Sequence, residues 1–145
     1  MFKELGASLN PLNLHPFFHI PESEHPKIYA ILDICHMLKL IRNCVATYGT
    51  LLDQDNNEIN WSYIKLLHKL QKTEGQKLAN KLKQAHIYWW QQKIKVNLAA
   101  QVLSGSVADA LEFCLDYFKL KEFEGCEATV KFIRLLWILS WYQKL

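Results

Sequence analysis

The sequence predicts a mainly α-helical protein with one short strand near its amino terminus. From residue 34 onward, apolar residues recur every three or four positions in several stretches, as they do on one face of an α-helix. Gly49 and Gly75 follow two of these stretches, where helices commonly end. Residues 28–32 form a short apolar run rich in β-branched and aromatic side chains, which predicts a buried strand.

The length and composition suit one globular domain, or part of a larger one. Half of the 145 residues are hydrophobic and 21% are charged, unlike a disordered chain. The net charge is +3, but residues 61–95 hold eight lysines and one glutamate, a local charge of +7 that leaves −4 for the remainder. A basic block of this kind suits nucleic acid or nucleotide phosphate, although a solvated helical face is an equally simple interpretation.

Several function classes are excluded or disfavoured. The four cysteines have no C-x-x-C pairing, and no zinc-finger spacing occurs. The most apolar run, residues 132–141, is interrupted by Arg134 and too short to span a bilayer, so we expect no membrane partner. Residues 53–57 imitate half of an EF-hand loop but lack its glycine and final glutamate, which favours a turn. No G-x-x-x-x-G-K-[ST] motif is present, which excludes P-loop nucleotide hydrolysis.

Local signals divide the chain into helices. Asn60 is a predicted N-cap, and Ser106 with Asp109 resembles a capping box. The last helix is apolar almost all round, which suggests a partner that covers it. The predicted helices cover residues 34–48, 61–74, 76–87, 93–103, 106–118 and 127–145.

Asp33 stands where the predicted strand meets the first helix. Carboxylates at the ends of core strands often form active sites in α/β sheets. A metal-binding acid is therefore one interpretation, although a single carboxylate rarely holds Mg²⁺ alone. A helix N-cap is the simpler interpretation.

Seven stretches of the chain, in the expected order, carry a resemblance to a known family. Residues 32–43, Leu-Asp-Ile-Cys-His-Met-Leu-Lys-Leu-Ile-Arg-Asn, resemble the D-x-C-H-M-x-K-L-x-R-N segment of P-element-type DNA transposases, which include THAP-domain-containing transposases. The similarity extends roughly over residues 5–134. The further stretches are residues 59–64, 78–82, 86–87, 95–101, 103–110 and 125–133.

The resemblance implies a division into three parts. Residues 1–57 would belong to an incomplete RNase H-like catalytic domain, residues 58–134 to a helical GTP-binding insertion domain, and residues 135–145 to a divergent tail. Asp33 matches the second of three acids that hold Mg²⁺ for DNA strand cleavage and transfer, so it is the catalytic and metal-binding candidate. The other two acids are expected outside this sequence. Whether the chain is itself an enzyme therefore stays open.

The resemblance also implies nucleotide contacts. The family's guanine-nucleotide residues match Lys95, Val96 and Ser104, and Asn80-Lys81 is a weaker candidate pair. Lys95 would neutralise phosphate or contact guanine, Val96 would pack on the base, and Ser104 would offer a hydroxyl; a surface lysine and a helix cap are the alternatives.

The implied protein is a transposase fragment, inactive alone. Its full-length relatives use Mg²⁺ and GTP, with GTP as an assembly cofactor rather than a fuel. Transposon DNA would be its partner and the nucleus its location; a homo-oligomer is left open. The alternative function is a domesticated helical module that binds nucleic acid or protein through basic residues 61–95.

Overall fold

The prediction of a mainly α-helical chain is confirmed. The computed structural model describes residues 8–10, 13–15, 17–19, 28–29, 33–75, 78–79 and 82–142. The chain divides into two compact units, Met1–Asp33 and Ile34–Leu145. Within the described residues of the second unit, helices predominate and a single β-hairpin accompanies them.

The first unit contains two short antiparallel ladders. Strand β1 (Ser8–Asn10) pairs with β2 (Asn13–His15), and β3 (Phe17–Phe18) pairs with β4 (Ile28–Tyr29). A strand forms within residues 28–32, but the prediction that it is buried is wrong. Strand β4 has two residues, and both side chains are exposed. A two-residue ladder with one partner strand has too little surface to bury both faces. Residues 30–32 lie outside the described part, and the RNase H-like core stays a prediction.

The second unit opens with a helix, as the sequence predicts, and a hairpin follows around the predicted turn. Helix α1 (Ile34–Tyr48) ends at Gly49, whose φ of +77° is left-handed. Strands β5 (Thr50–Leu52) and β6 (Glu58–Asn60) then form an antiparallel hairpin. In its turn, Asp53 Oδ1 accepts hydrogen bonds from the backbone N–H groups of Asp55 and Asn57, both at 2.8 Å. The Asp53 carboxylate is thus hydrogen-bonded by backbone N–H groups of its own turn. This confirms the prediction of a turn rather than a calcium-binding loop.

Helix α2 (Ser62–Glu74) lies close to the predicted residues 61–74. The predicted N-cap at Asn60 is one residue too early, since the N-cap position is Trp61 and no side chain caps it. Asn60 Oδ1 instead accepts a hydrogen bond from the Ser62 N–H at 2.9 Å, which forms a turn before the helix. The helix ends at Gly75, with φ of +68°. Trp61, Ile64 and Leu67 on its inner side are buried.

The helices predicted over residues 76–87 and 93–103 are too long. Among the described residues of these two stretches, helix is limited to α3 (Gln84–Ile87) and α4 (Val96–Val102), with a 3-10 turn (Trp89–Gln91) between them. Before α3, the Leu82 N–H donates to the Ala79 carbonyl and the Lys83 N–H donates to His86 Nδ1 at 2.8 Å. These bonds stabilise a turn and a cap, so helix begins only at residue 84.

Two long helices complete the chain. Helix α5 (Gly105–Asp116) leads through a 3-10 turn (Lys121–Phe123) to α6 (Glu127–Tyr142). The predicted capping box at Ser106 and Asp109 is wrong. Helix α5 already begins at Gly105, and Asp109 instead forms an ion pair at 2.8 Å with Arg134 of α6. A Cβ atom at Gly105 would lie 3.0 Å from Trp137 Nε1, so the missing side chain permits close packing there.

The core lies where α5 packs against α6 and α2. Helix α1 packs on α4 and α6, and the thiols of Cys114 and Cys126 are buried within this core. Phe118, the last residue of the helix predicted over residues 106–118, lies beyond the end of α5 and is exposed. The largest fully buried apolar side chains are Trp61, Phe123, Ile64, Leu67, Leu103, Leu111 and Ile133.

One stretch of the described chain, Val96–Asp116, is long and apolar enough to cross a membrane by length and composition. It consists of α4 and α5 with a break between them, and half of its most apolar window is buried. Packing against the neighbouring helices therefore accounts for its apolar character.

A buried histidine gives the fold a pH dependence. His86 is 1% exposed, and its Nε2 lies 3.0 Å from Gln101 Oε1. Since Nδ1 accepts the Lys83 N–H, the neutral ring with a proton on Nε2 satisfies both contacts. Burial lowers the pKa of His86, and the bonds to Gln101 and Lys83 only partly oppose this.

We therefore expect the free energy of unfolding to fall as the pH decreases below about 6.5, the unperturbed histidine pKa. There the unfolded chain binds a proton on His86 that the folded chain resists. Thermal melts from pH 7.5 to 5.5 measure the effect. His86→Gln should reduce the slope of Tm against pH, whereas His36→Gln on the exposed side of α1 should preserve it. Equal slopes in both variants would contradict this assignment.

Candidate nucleotide-binding site

The structure brings Lys95 and Val96 together at the start of α4. Lys95 has extended backbone angles (φ −80°, ψ 101°) and an exposed side chain, while Val96 is half-buried. Both line a surface depression of about 380 Å³. The described residues that line it are Ala85, Gln92, Lys95, Val96, Asn97 and Leu98.

The depression offers part of what a nucleotide requires. Ala85, Val96 and Leu98 provide an apolar wall for a flat base, and Lys95 provides a cation for phosphate. Gln92 and Asn97 add amide groups at its edge. Among the described residues, the lining contains no carboxylate to accept hydrogen bonds from the N–H edge of guanine. These residues therefore fit base packing and phosphate binding, but not selection of guanine over adenine.

Ser104 lies beyond the other end of α4, and it is not part of the depression. It is 7% exposed, and its Oγ donates to the Gln101 carbonyl at 2.7 Å and lies 3.0 Å from Ser106 Oγ. A seven-residue helix is about 10 Å long, and Lys95 and Ser104 lie beyond opposite ends of α4. The hydroxyl stabilises the junction between α4 and α5.

The remaining candidates are Asn80, Lys81 and Asp33. Asn80 and Lys81 lie outside the described residues. Asp33 is exposed and directly precedes α1. Within the part of the chain that the structure describes, no group of three or more His, Cys, Asp or Glu side chains could hold a metal ion. The described residues therefore do not fit Mg²⁺ by themselves.

Sequence reasoning missed the contacts between α1 and the segment that precedes Lys95. Arg42 Nη2 donates to the carbonyl oxygens of Gln92 at 3.0 Å and Lys93 at 3.3 Å. Asn43 Nδ2 donates to the Lys93 carbonyl at 3.2 Å. The available signal was Arg42 itself, since it lies one position from Ile41 and three from Val45, near the predicted apolar face.

Comparison with known proteins identifies the family. The model of the family described as TNP-like, GTP-binding insertion domain matches residues 35–139. This range begins at the second residue of α1 and includes all of α2 to α5 and most of α6. The chain belongs to the TNP-like GTP-binding insertion domain family.

A curated relative agrees with this assignment. The human (Homo sapiens) protein DNA transposase THAP9 is 32% identical over 138 residues, which cover 94% of this chain and 15% of the transposase. The resemblance to P-element-type transposases is thus confirmed, and the chain spans about 15% of the length of this relative. No solved structure matches the chain. The family match includes residues 35–57 and 135–139, so the boundaries at residues 57 and 134 stay predictions.

Proposed function

We propose that this insertion-domain chain binds a guanine nucleotide as part of a P-element-type DNA transposase, with the nucleotide as an assembly cofactor. The observation that carries the proposal is the depression at the start of α4, which places Lys95 beside Val96 in a chain of this family. A role as fuel is disfavoured because the sequence has no P-loop.

Different residues of the depression would bind the phosphate and the base. The Lys95 ammonium group neutralises phosphate, while Val96 and Leu98 remove one face of the base from water. Because the described lining residues include no carboxylate, we assign the recognition of guanine to an acidic residue elsewhere in a larger transposase. Ser104 acts indirectly, since its hydroxyl stabilises the junction after α4.

The catalytic part of the proposal depends on groups that this chain does not supply. We propose that Asp33 is one of three acids in a complete transposase, and that DNA and the nucleus are its partner and location, by analogy with the DNA transposase relative. We also propose that the chain can form a homo-oligomer, for which the structure describes no interface. One exposed carboxylate does not fit Mg²⁺, so we expect no DNA cleavage by the chain alone.

Titration of the purified chain with a fluorescent GTP analogue tests the nucleotide proposal. Lys95→Ala should weaken binding about tenfold, because a charged hydrogen bond contributes about 1.5–3 kcal/mol and 1.4 kcal/mol is tenfold in affinity. ATP should compete about as well as GTP, since no carboxylate is among the described residues that line the depression.

Lys69 supplies the matched control, because it is an exposed lysine on α2 outside the depression. Lys69→Ala should bind the analogue as the wild type does. Equal losses in both variants, or no binding by the wild type, would refute the nucleotide site in this chain.

The alternative function, nucleic-acid binding by the basic residues 61–95, also has one structural support. Lys65, Lys69 and Lys72 are exposed at i, i+4 and i+7 on α2, so they share one helical face. This function predicts the opposite pattern in the same variants. Lys69→Ala would weaken salt-dependent binding of duplex DNA, and Lys95→Ala would leave the GTP signal unchanged.

A further inference from the structure

A fully buried arginine connects α1 to the candidate nucleotide site. Arg42 has no exposed surface, and its Nη2 donates to the carbonyl oxygens of Gln92 and Lys93. Its Nε donates to Asn43 Oδ1 at 2.7 Å, which orients the Asn43 amide toward the same Lys93 carbonyl. Two consecutive side chains of α1 therefore hold two consecutive carbonyls, about fifty residues away along the chain.

The held segment leads directly into the depression. The Gln92 carbonyl that accepts from Arg42 also accepts the backbone N–H of Lys95, at 3.1 Å. Gln92 and Lys95 are both lining residues of the depression. The Gln92 carbonyl oxygen thus accepts hydrogen bonds from both the Arg42 guanidinium and the backbone N–H of Lys95, the residue proposed to bind phosphate.

Arg42 carries a positive charge that its hydrogen bonds to the two carbonyl oxygens do not require. Within the described chain, no carboxylate lies within ion-pair distance of Arg42, and its Nη1 is buried without a hydrogen-bond partner. Burying a cation without a counter-ion costs free energy, and a neutral donor would hold the same carbonyls at lower cost. Local costs of this kind are expected at functional sites. A buried positive charge beside the segment also favours an anion there.

We propose that Arg42 is a positioning residue of the nucleotide site, which fixes Lys95 for phosphate binding through the shared Gln92 carbonyl. The inference rests on the proposed function for its ligand, but the positioning itself is independent of any nucleotide. Asn43 has a supporting role through the Lys93 carbonyl.

Amide hydrogen exchange of the nucleotide-free chain tests the positioning. Arg42→Lys keeps the positive charge but loses the planar fork that reaches both carbonyls. We expect exchange at the Lys95 amide to become at least about tenfold faster, while the amide of Leu111 in α5 keeps its rate. In the same variant, affinity for the GTP analogue should fall about tenfold.

Val45→Ala is the matched control, because Val45 is a buried residue of α1 with no hydrogen bond to the held segment. It should weaken the core without a selective change at Lys95. Equal acceleration at Lys95 and Leu111 in the Arg42→Lys chain, or the same pattern in Val45→Ala, would overturn the inference.

If the Arg42→Lys chain does not fold, Asn43→Ala tests the positioning of the held segment. It removes one donor to Lys93 from a half-buried position. Selective acceleration of exchange at the amides of residues 93–95 supports the inference, and unchanged rates overturn it. Absence of GTP-analogue binding by the wild type, together with the expected exchange pattern, would remove the proposed function and leave the positioning by Arg42 intact.

Discussion

Replacing Trp61 by alanine should lower the free energy of unfolding by about 3–5 kcal/mol, the usual cost of removing a buried large aromatic side chain. Trp61 is 2% exposed, and it is the largest fully buried side chain among the described residues. It stands between β6 and α2, so its loss leaves a cavity where the hairpin meets the helix. Urea unfolding followed by circular dichroism measures the change. A domain of this size has a total stability of about 5–15 kcal/mol, so the variant should be close to unfolding.

Trp61→Phe separates the cavity from the polar atom. The Trp61 Nε1 is buried without a hydrogen-bond partner, which costs about 1–3 kcal/mol. Phenylalanine removes that unpaired donor while it fills most of the space. We therefore expect a loss of less than about 1.5 kcal/mol for this variant. Similar losses in the two variants would show that Trp61 does not occupy a tightly packed site.

Much of the fold follows from short-range signals. The end of α1 at Gly49, the turn organised by Asp53 and the hydrogen bond from Ser62 to Asn60 before α2 each depend on residues within four positions of one another. Such signals are visible in the sequence because the atoms that satisfy the backbone belong to neighbouring residues. These elements were therefore predicted with nearly correct boundaries.

The segment between α2 and α5 escaped prediction because distant residues determine it. His86 contacts Gln101, fifteen residues later, and Arg42 holds the Gln92 carbonyl, fifty residues away. Helical spacing over residues 76–103 therefore suggested longer helices than those that form. Tertiary hydrogen bonds stabilise turns and extended backbone there, which overrides local propensity.

The candidate site was predicted in part. The family resemblance gave the positions of Lys95 and Val96, and the fold shows that both line one depression. Ala85 and Gln92, which complete that depression, come from other segments and carry no motif of their own. Nor could sequence show that the Ser104 hydroxyl bonds to the Gln101 carbonyl, because a serine beside glycine at a helix break fits both a ligand contact and a cap.

Leu111→Ala should cost about 2–5 kcal/mol, whereas Leu135→Ala should change the free energy of unfolding by no more than about 0.5 kcal/mol. The two variants remove the same atoms from neighbouring helices. Leu111 is 0% exposed in α5, but Leu135 is 57% exposed on α6. Urea unfolding at two protein concentrations measures both changes. The difference arises because only Leu111 leaves a cavity when it is shortened.

The exposed leucine also tests the prediction that a partner covers the last helix. Leu135, Ile138 and Trp141 are exposed apolar side chains of α6, and their transfer from water would stabilise any complex that buries them. If α6 is free in solution, Leu135→Ala stays near neutral at every concentration. A loss above about 1 kcal/mol that grows with protein concentration would show that a second copy covers this face, because dimer stability depends on mass action.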